Sequence, residues 1–130
     1  MLITRNDRDT AVGTSDWFTS TPSPPVRPSR LSASSVHFTP GARTAWLAHP
    51  NGRMLYITEG VGLVQPRGSP PEVIRPSDRV FFEPGEDHWH GTAPKRFMTH
   101  LSMLDVDDGG SSATWGDHVT DDEYAAVPEA

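Results

Sequence analysis

Apolar and polar positions alternate along this chain in short runs, each closed by a turn signal. Leu31 to Phe38 alternates loosely and ends at Pro40-Gly41. Thr44 to His49 and Met54 to Thr58 read as two strands joined at Asn51-Gly52, the dipeptide that most strongly marks a tight hairpin. Val61 to Gln65 reads as a continuation of the second strand past Glu59-Gly60. Val73-Ile74, Val80 to Phe82 and His88-Trp89-His90 follow, separated by Gly68-Ser69-Pro70-Pro71 and by Pro84-Gly85. Phe97 to Leu104 is the clearest late strand. No segment keeps apolar residues at i, i+3 and i+4 over the roughly 11 residues that an amphipathic helix needs. The one helix signal is Thr120-Asp121-Asp122-Glu123, a capping pattern for a single short turn before Tyr124. No internal repeat recurs at a fixed period.

Turn signals about every 8–12 residues predict an all-β sandwich or barrel. Composition sharpens this: 13 Pro and 11 Gly in 130 residues disfavour long helices and allow one compact domain. Residues 1–15 are polar and predict a flexible arm, 16–125 the barrel and 126–130 a tail. Pro22, Pro24, Pro25 and Pro28 place residues 20–30 in a loop or at a sheet edge, because proline cannot donate to a ladder. Asp107 to Ser112 reads as a polar loop, and the acids from Asp105 to Asp108 lack the ligand pattern of a calcium loop. A net charge of −6 argues against nucleic acid and anionic membrane as partners. With no run near the roughly 20 apolar residues of a membrane span and no secretory leader pattern, the expected location is the cytoplasm. Zero cysteines exclude thiolate chemistry, so any metal depends on the six His or on carboxylates.

Two stretches carry a recognisable spacing. Gly41, five residues, Leu47-Ala48-His49, three residues, Arg53, six residues and Gly60 form the first. Ser77, five residues, Glu83-Pro84-Gly85, two residues, His88, three residues and Thr92 form the second. This spacing resembles the paired motifs of the cupins, and the resemblance implies a double-stranded β-helix (jelly-roll) barrel. The runs PGARTAW, LYITEGVGLVQ, HWHGTAP, MTH and VTDDEY, across residues 15–124, resemble the bacterial manganese-dependent hydroxynitrile lyase group. In that group two His, a Gln and a further His hold manganese. Carried over by position, the resemblance implies Leu47, His49, Arg53 and His88 at those places.

Strand alternation puts Leu47 with His49, His88 with His90, and Met98 with His100 on shared faces. On the barrel's inner face, His49, His88, His90 and His100 converge. Leu47 has no electron pair to offer, and a guanidinium is a permanent cation without a lone pair. The expected cofactor is therefore none; if a divalent ion such as manganese, iron or zinc binds, its ligands are His49 and His88 with His90 or His100 as a third. The expected function is a small-molecule enzyme of lyase or isomerase/cyclase type. Arg53 grips an anionic or oxyanion group, and His90, His88 and His100 serve acid/base chemistry, with His90 the leading acid/base. The alternatives are a non-catalytic metabolite-binding cupin and a metal-dependent enzyme with a rebuilt three-His site. The expected partners are a small organic molecule in the cavity and a second copy of the chain, since an open sheet edge invites pairing. His37, His118 and Glu83 read as structural or surface residues, and Trp17, Trp46, Trp89 and Trp115 as core or dimer-interface packing.

Overall fold

The computed structural model describes residues 12–15, 18–23, 31–105 and 113–125, with side chains from residue 31 onward. Eleven strands among them form two antiparallel sheets. The first sheet is ordered β1 (Val12–Ser15), β2 (Phe18–Ser23), β3 (Leu31–Phe38), β10 (Met98–Asp105), β5 (Arg53–Gly60), β8 (Arg79–Phe82). The second is ordered β11 (Thr114–His118), β4 (Ala45–Ala48), β9 (His88–Thr92), β6 (Gly62–Pro66), β7 (Glu72–Ile74). The short helix α1 (Asp121–Ala125) follows. This is the two-sheet all-β architecture that the turn spacing predicts.

Alternation sorts each strand between two layers. Inward positions build a core between the sheets from Val36, Phe38, Leu55, Ile57, Val64, Ile74, Phe82 and Met98. Outward Trp46, Leu63 and Trp89 of the five-stranded sheet build a second core with Ala93 and Val119, closed by Val73 and Tyr124. The helix that lays Tyr124 there starts with a reciprocal cap. Thr120 N–H donates to Glu123 Oε1 at 2.9 Å, and Glu123 N–H donates to Thr120 Oγ1 at 3.1 Å.

Several expectations change. Asn51-Gly52 does not close a hairpin: β4 lies in one sheet and β5 in the other. The turn from His49, with Gly52 N–H on the His49 carbonyl at 3.2 Å, instead carries the chain across the barrel. The strand expected to run on through Val61 also breaks. Gly60 has φ +75, and β6 begins in the opposite sheet at Gly62. A Cβ at Gly60 would fall on the Phe97 carbonyl, and one at Gly62 on Met98 Sδ, so close approach reinforces both breaks. Val12–Ser15, expected in the arm, and Phe18–Ser23, expected partly in a proline loop, are paired strands, with β2 interior between β1 and β3. The strand at Thr114–His118 carries no alternation that marks it beforehand; it pairs with β4 while its side chains stay exposed. Trp115 is 58% exposed and packs no core. Trp17, the rest of the arm (residues 1–11), Asp107 to Ser112 and the tail 126–130 lie outside the described residues.

Ser77 stands where the second motif has glycine. Its backbone keeps the left-handed conformation, φ 76, with its N–H on the Ile57 carbonyl at 2.9 Å. The turn survives the substitution at a cost of about 1 kcal/mol.

Candidate active site

The two motifs are tied together through one carbonyl. Gly52 N–H and Gly85 N–H both donate to His49 O, at 3.2 and 2.9 Å. That fork fixes the end of β4 against the turn that launches β9. Leu47 pairs with His88 across these two strands. β9 then directs His88, His90 and Thr92 inward and Trp89 outward, all of them buried. Arg53 opens β5 in the facing sheet, paired with Phe82 on β8, and His100 comes from β10 beside it.

Within the lumen the four expected imidazoles form a row. Ring centroids lie 5.5 Å apart for His49–His88, 5.8 Å for His88–His90 and 5.2 Å for His90–His100. Two aromatic rings line the row and have no place in the motif spacing. Phe82 stacks on His88 at 3.5 Å and 9°, and Phe38 meets His90 and His100 at 5.4 and 5.6 Å. A signal for Phe82 was present: it shares the inward parity of Val80 on β8, two residues before Pro84. The other histidines stay outside. His37 is exposed and bonds Thr99 Oγ1 at 2.8 Å, and exposed His118 meets the Val119 carbonyl at 3.0 Å. Glu83 is an exposed turn residue.

Arg53 is 9% exposed and points into this row. Its Nη2 donates to His90 Nε2 at 2.9 Å and lies 3.3 Å from Nδ1. No carboxylate pairs with it among the described residues, and its buried Nε lacks a partner. Desolvation lowers its pKa to about 9, which leaves it charged at neutral pH. Burial, with Arg53 adding repulsion, holds His88 and His100 down at about 3 and His90 well below 6.5. The imidazoles are therefore neutral. His88 Nδ1 lies 3.0 Å from the Glu86 carbonyl, an acceptor only, so Nδ1 carries the proton. His88 Nε2 is then a buried lone pair without a partner, facing the lumen. Neither ring nitrogen of His100 completes a hydrogen bond among the described residues; the Leu101 backbone raises its pKa against the larger effects of burial and Arg53. His90 leads the expected acid/base residues, with His88 and His100 beside it, and its ring nitrogens turn toward Arg53. Nitrogens without a hydrogen bond among the described residues belong to His88 and His100.

The donor set does not fit a divalent metal. Leu47 and Arg53 occupy two of the four motif positions and supply no lone pair. Among the described residues no three His, Asp or Glu side chains stand close enough to share an ion, so neither His90 nor His100 completes a trio with His49 and His88. The buried guanidinium adds repulsion: a unit and a double charge ~4 Å apart repel by roughly 8 kcal/mol at an effective dielectric of 20. Unpartnered buried donors and acceptors are equally foreign to a finished core, where polar groups are paired. The arrangement suits a small polar guest that brings its own negative charge.

Comparisons agree with the fold. The cupin domain model matches residues 34–106. An (R)-mandelonitrile lyase of Granulicella tundricola is 46% identical over 121 residues, covering 86% of this chain and 88% of that protein. A cupin-like protein of Thermotoga maritima superimposes with a TM-score of 0.76 at 34% identity, covering 88% of this chain and 91% of the other. The polyketide cyclase RemF of Streptomyces resistomycificus superimposes with a TM-score of 0.70 at 16% identity, over 95% and 91%, a likeness of fold alone.

Proposed function

Because the chain belongs to the cupin family and groups with hydroxynitrile lyase-like members, we propose that it is a cytoplasmic small-molecule enzyme of lyase or isomerase/cyclase type that works in its lumen without a metal. The observation that carries this reading is Arg53, buried, bonded to His90 and without a carboxylate partner among the described residues. A fixed guanidinium can grip an anionic or oxyanion group by a two-pronged contact, the task that a metal ion performs elsewhere. His88 Nε2 takes the proton that leaves the substrate, and His90 holds the guanidinium in place. His100 serves as a further polar contact. The low basicity of His88 favours one rival, a cupin that binds a metabolite and does not turn it over.

The relative's activity sets the assay. Cleavage of mandelonitrile to benzaldehyde and cyanide is expected to survive exhaustive chelation and to fall at least a hundredfold in His88→Gln while ligand binding remains. Stoichiometric manganese, iron or zinc by elemental analysis, with activity lost on its removal, would overturn the metal-free reading. A His88→Gln variant as active as the parent would overturn the assignment of the base.

We further propose that the chain pairs with a second copy through the outer face of its six-stranded sheet. Ala33, Met103, Met54 and Phe81 stand in one register row across β3, β10, β5 and β8, with Leu31 and Leu101 exposed nearby.

No helix among the described residues is long and apolar enough to cross a membrane.

A further inference from the structure

The lumen's hydrogen-bonding inventory specifies its guest more closely than a fold does. Arg53 contributes the one permanent cation, and no acid answers it among the described residues. One cation buried in an apolar wall calls for one negative charge, since a second would lie uncompensated at several kcal/mol. His88 asks for something different. Its Nδ1 is committed to the Glu86 carbonyl, so its inward Nε2 can only accept. The guest must therefore present an O–H or N–H donor there. Carbonyl and nitrile groups have none.

The two demands fall on either side of His90. His90 borders both: Arg53 Nη2 is 2.9 Å from its Nε2, and the His88 ring centroid is 5.8 Å from its own. One small skeleton that carries both an anion and a hydroxyl donor can answer the two, and the 2-hydroxy acid is the smallest such skeleton. The surrounding wall is aromatic and aliphatic, with Phe82 flat on His88 and Phe38 at the His90 edge. It offers a dry face to an apolar or aryl body.

We infer that the lumen takes a small 2-hydroxy monocarboxylate with an apolar body, its carboxylate on the Arg53 guanidinium and its hydroxyl donating to His88 Nε2. This rests on the reading above that the lumen is the working site, and it exchanges a neutral cyanohydrin for an anionic relative as the preferred occupant. The charge-assisted contact to Arg53 is worth roughly ten- to a hundredfold in affinity, and the neutral hydroxyl contact to His88 about two- to tenfold.

Calorimetric titration of the intact chain with four probes tests the assignment. Mandelate carries every feature, mandelamide lacks the charge, phenylacetate lacks the hydroxyl, and phenylmalonate adds a second carboxylate in its place. Mandelate is expected to bind at least tenfold more tightly than mandelamide and phenylmalonate and severalfold more tightly than phenylacetate, and its preference over mandelamide is expected to vanish in Arg53→Gln. Equal affinity for mandelate and mandelamide would overturn the inference while leaving the lumen as a site. No binding of mandelate would also overturn it, and the cyanohydrin assay would then decide the lumen reading separately. Phenylacetate binding as tightly as mandelate would remove the hydroxyl contact and with it the 2-hydroxy class.

Discussion

Two arginines on opposite sides of the five-stranded sheet show how differently its faces are built. Arg43 lies in the outer layer, where its Nη2 meets Asp121 Oδ1 at 2.5 Å and its guanidinium covers the Tyr124 ring at 4.2 Å. Its neighbours are partnered as well. Trp89 Nε1 donates to Gln65 Oε1 at 2.7 Å, Trp46 Nε1 donates to Glu123 Oε2 at 3.2 Å, and the Tyr124 hydroxyl donates to the Thr92 carbonyl. Arg53 lies in the lumen with an imidazole for company and no carboxylate among the described residues. Around it, atoms of His88 and His100 stay buried without hydrogen bonds. The outer layer comes closer to a finished core: apart from the buried Arg43 Nε, which has no hydrogen bond among the described residues, these polar tips are satisfied and the apolar bodies pack. The inner one keeps polar capacity open, which destabilises a fold unless a guest uses it. Location of unsatisfied polarity, more than the count of histidines, separates the working face from the structural one.

The comparison breaks most sharply at Arg53. Arg53→Met removes a buried, unpaired charge and fills the space with an apolar chain, so the melting temperature is expected to rise. Turnover is expected to fall by about a thousandfold, the usual cost of losing an electrostatic anchor. Calorimetry and the cyanohydrin assay on one preparation check both. A variant that melts lower would mean that Arg53 is a structural partner like Arg43.

A pH titration addresses the imidazoles next. Their folded pKa values lie below the unfolded value of 6.5, at about 3 for His88 and His100. Between 6.5 and about 3 the unfolded chain binds more protons than the folded one. Stability is thus complete above pH 6.5 and declines steadily as pH falls toward 3. Chemical denaturation at stepped pH measures the decline, and His100→Leu is expected to flatten it. An unchanged slope in that variant would place the acid sensitivity elsewhere.

The smallest effect belongs to the outer layer. Thr120→Ala removes half of the reciprocal cap on α1 and is expected to cost about 1 kcal/mol with no change in turnover. A matching fall in activity would show that the outer layer reaches the site through Thr92 and β9.

Much of this was legible in residue order because it depends on local conformation. Gly41, Gly60 and Gly85 all adopt positive φ, from 75 to 80, so spacing between glycines records where strands stop. Leu47 and Arg53 at ligand positions report the altered site directly, since an alkyl chain and a guanidinium lack lone pairs whatever surrounds them. Thr120 and Glu123 announce α1 because a cap is a contact between residues three apart. Only the folded chain decided what rests on distant partners. Whether Asn51-Gly52 turns back or crosses over depends on which strands hydrogen-bond to β4 and β5, and those are β9 and β11 for one, β8 and β10 for the other. The same crossing brings Arg53 against His90, 37 residues away, and lays Phe82 on His88. That contact engages the His90 ring nitrogens and leaves His88 Nε2 without a hydrogen bond among the described residues, because hydrogen-bond vacancy belongs to a three-dimensional neighbourhood and leaves no trace in residue order.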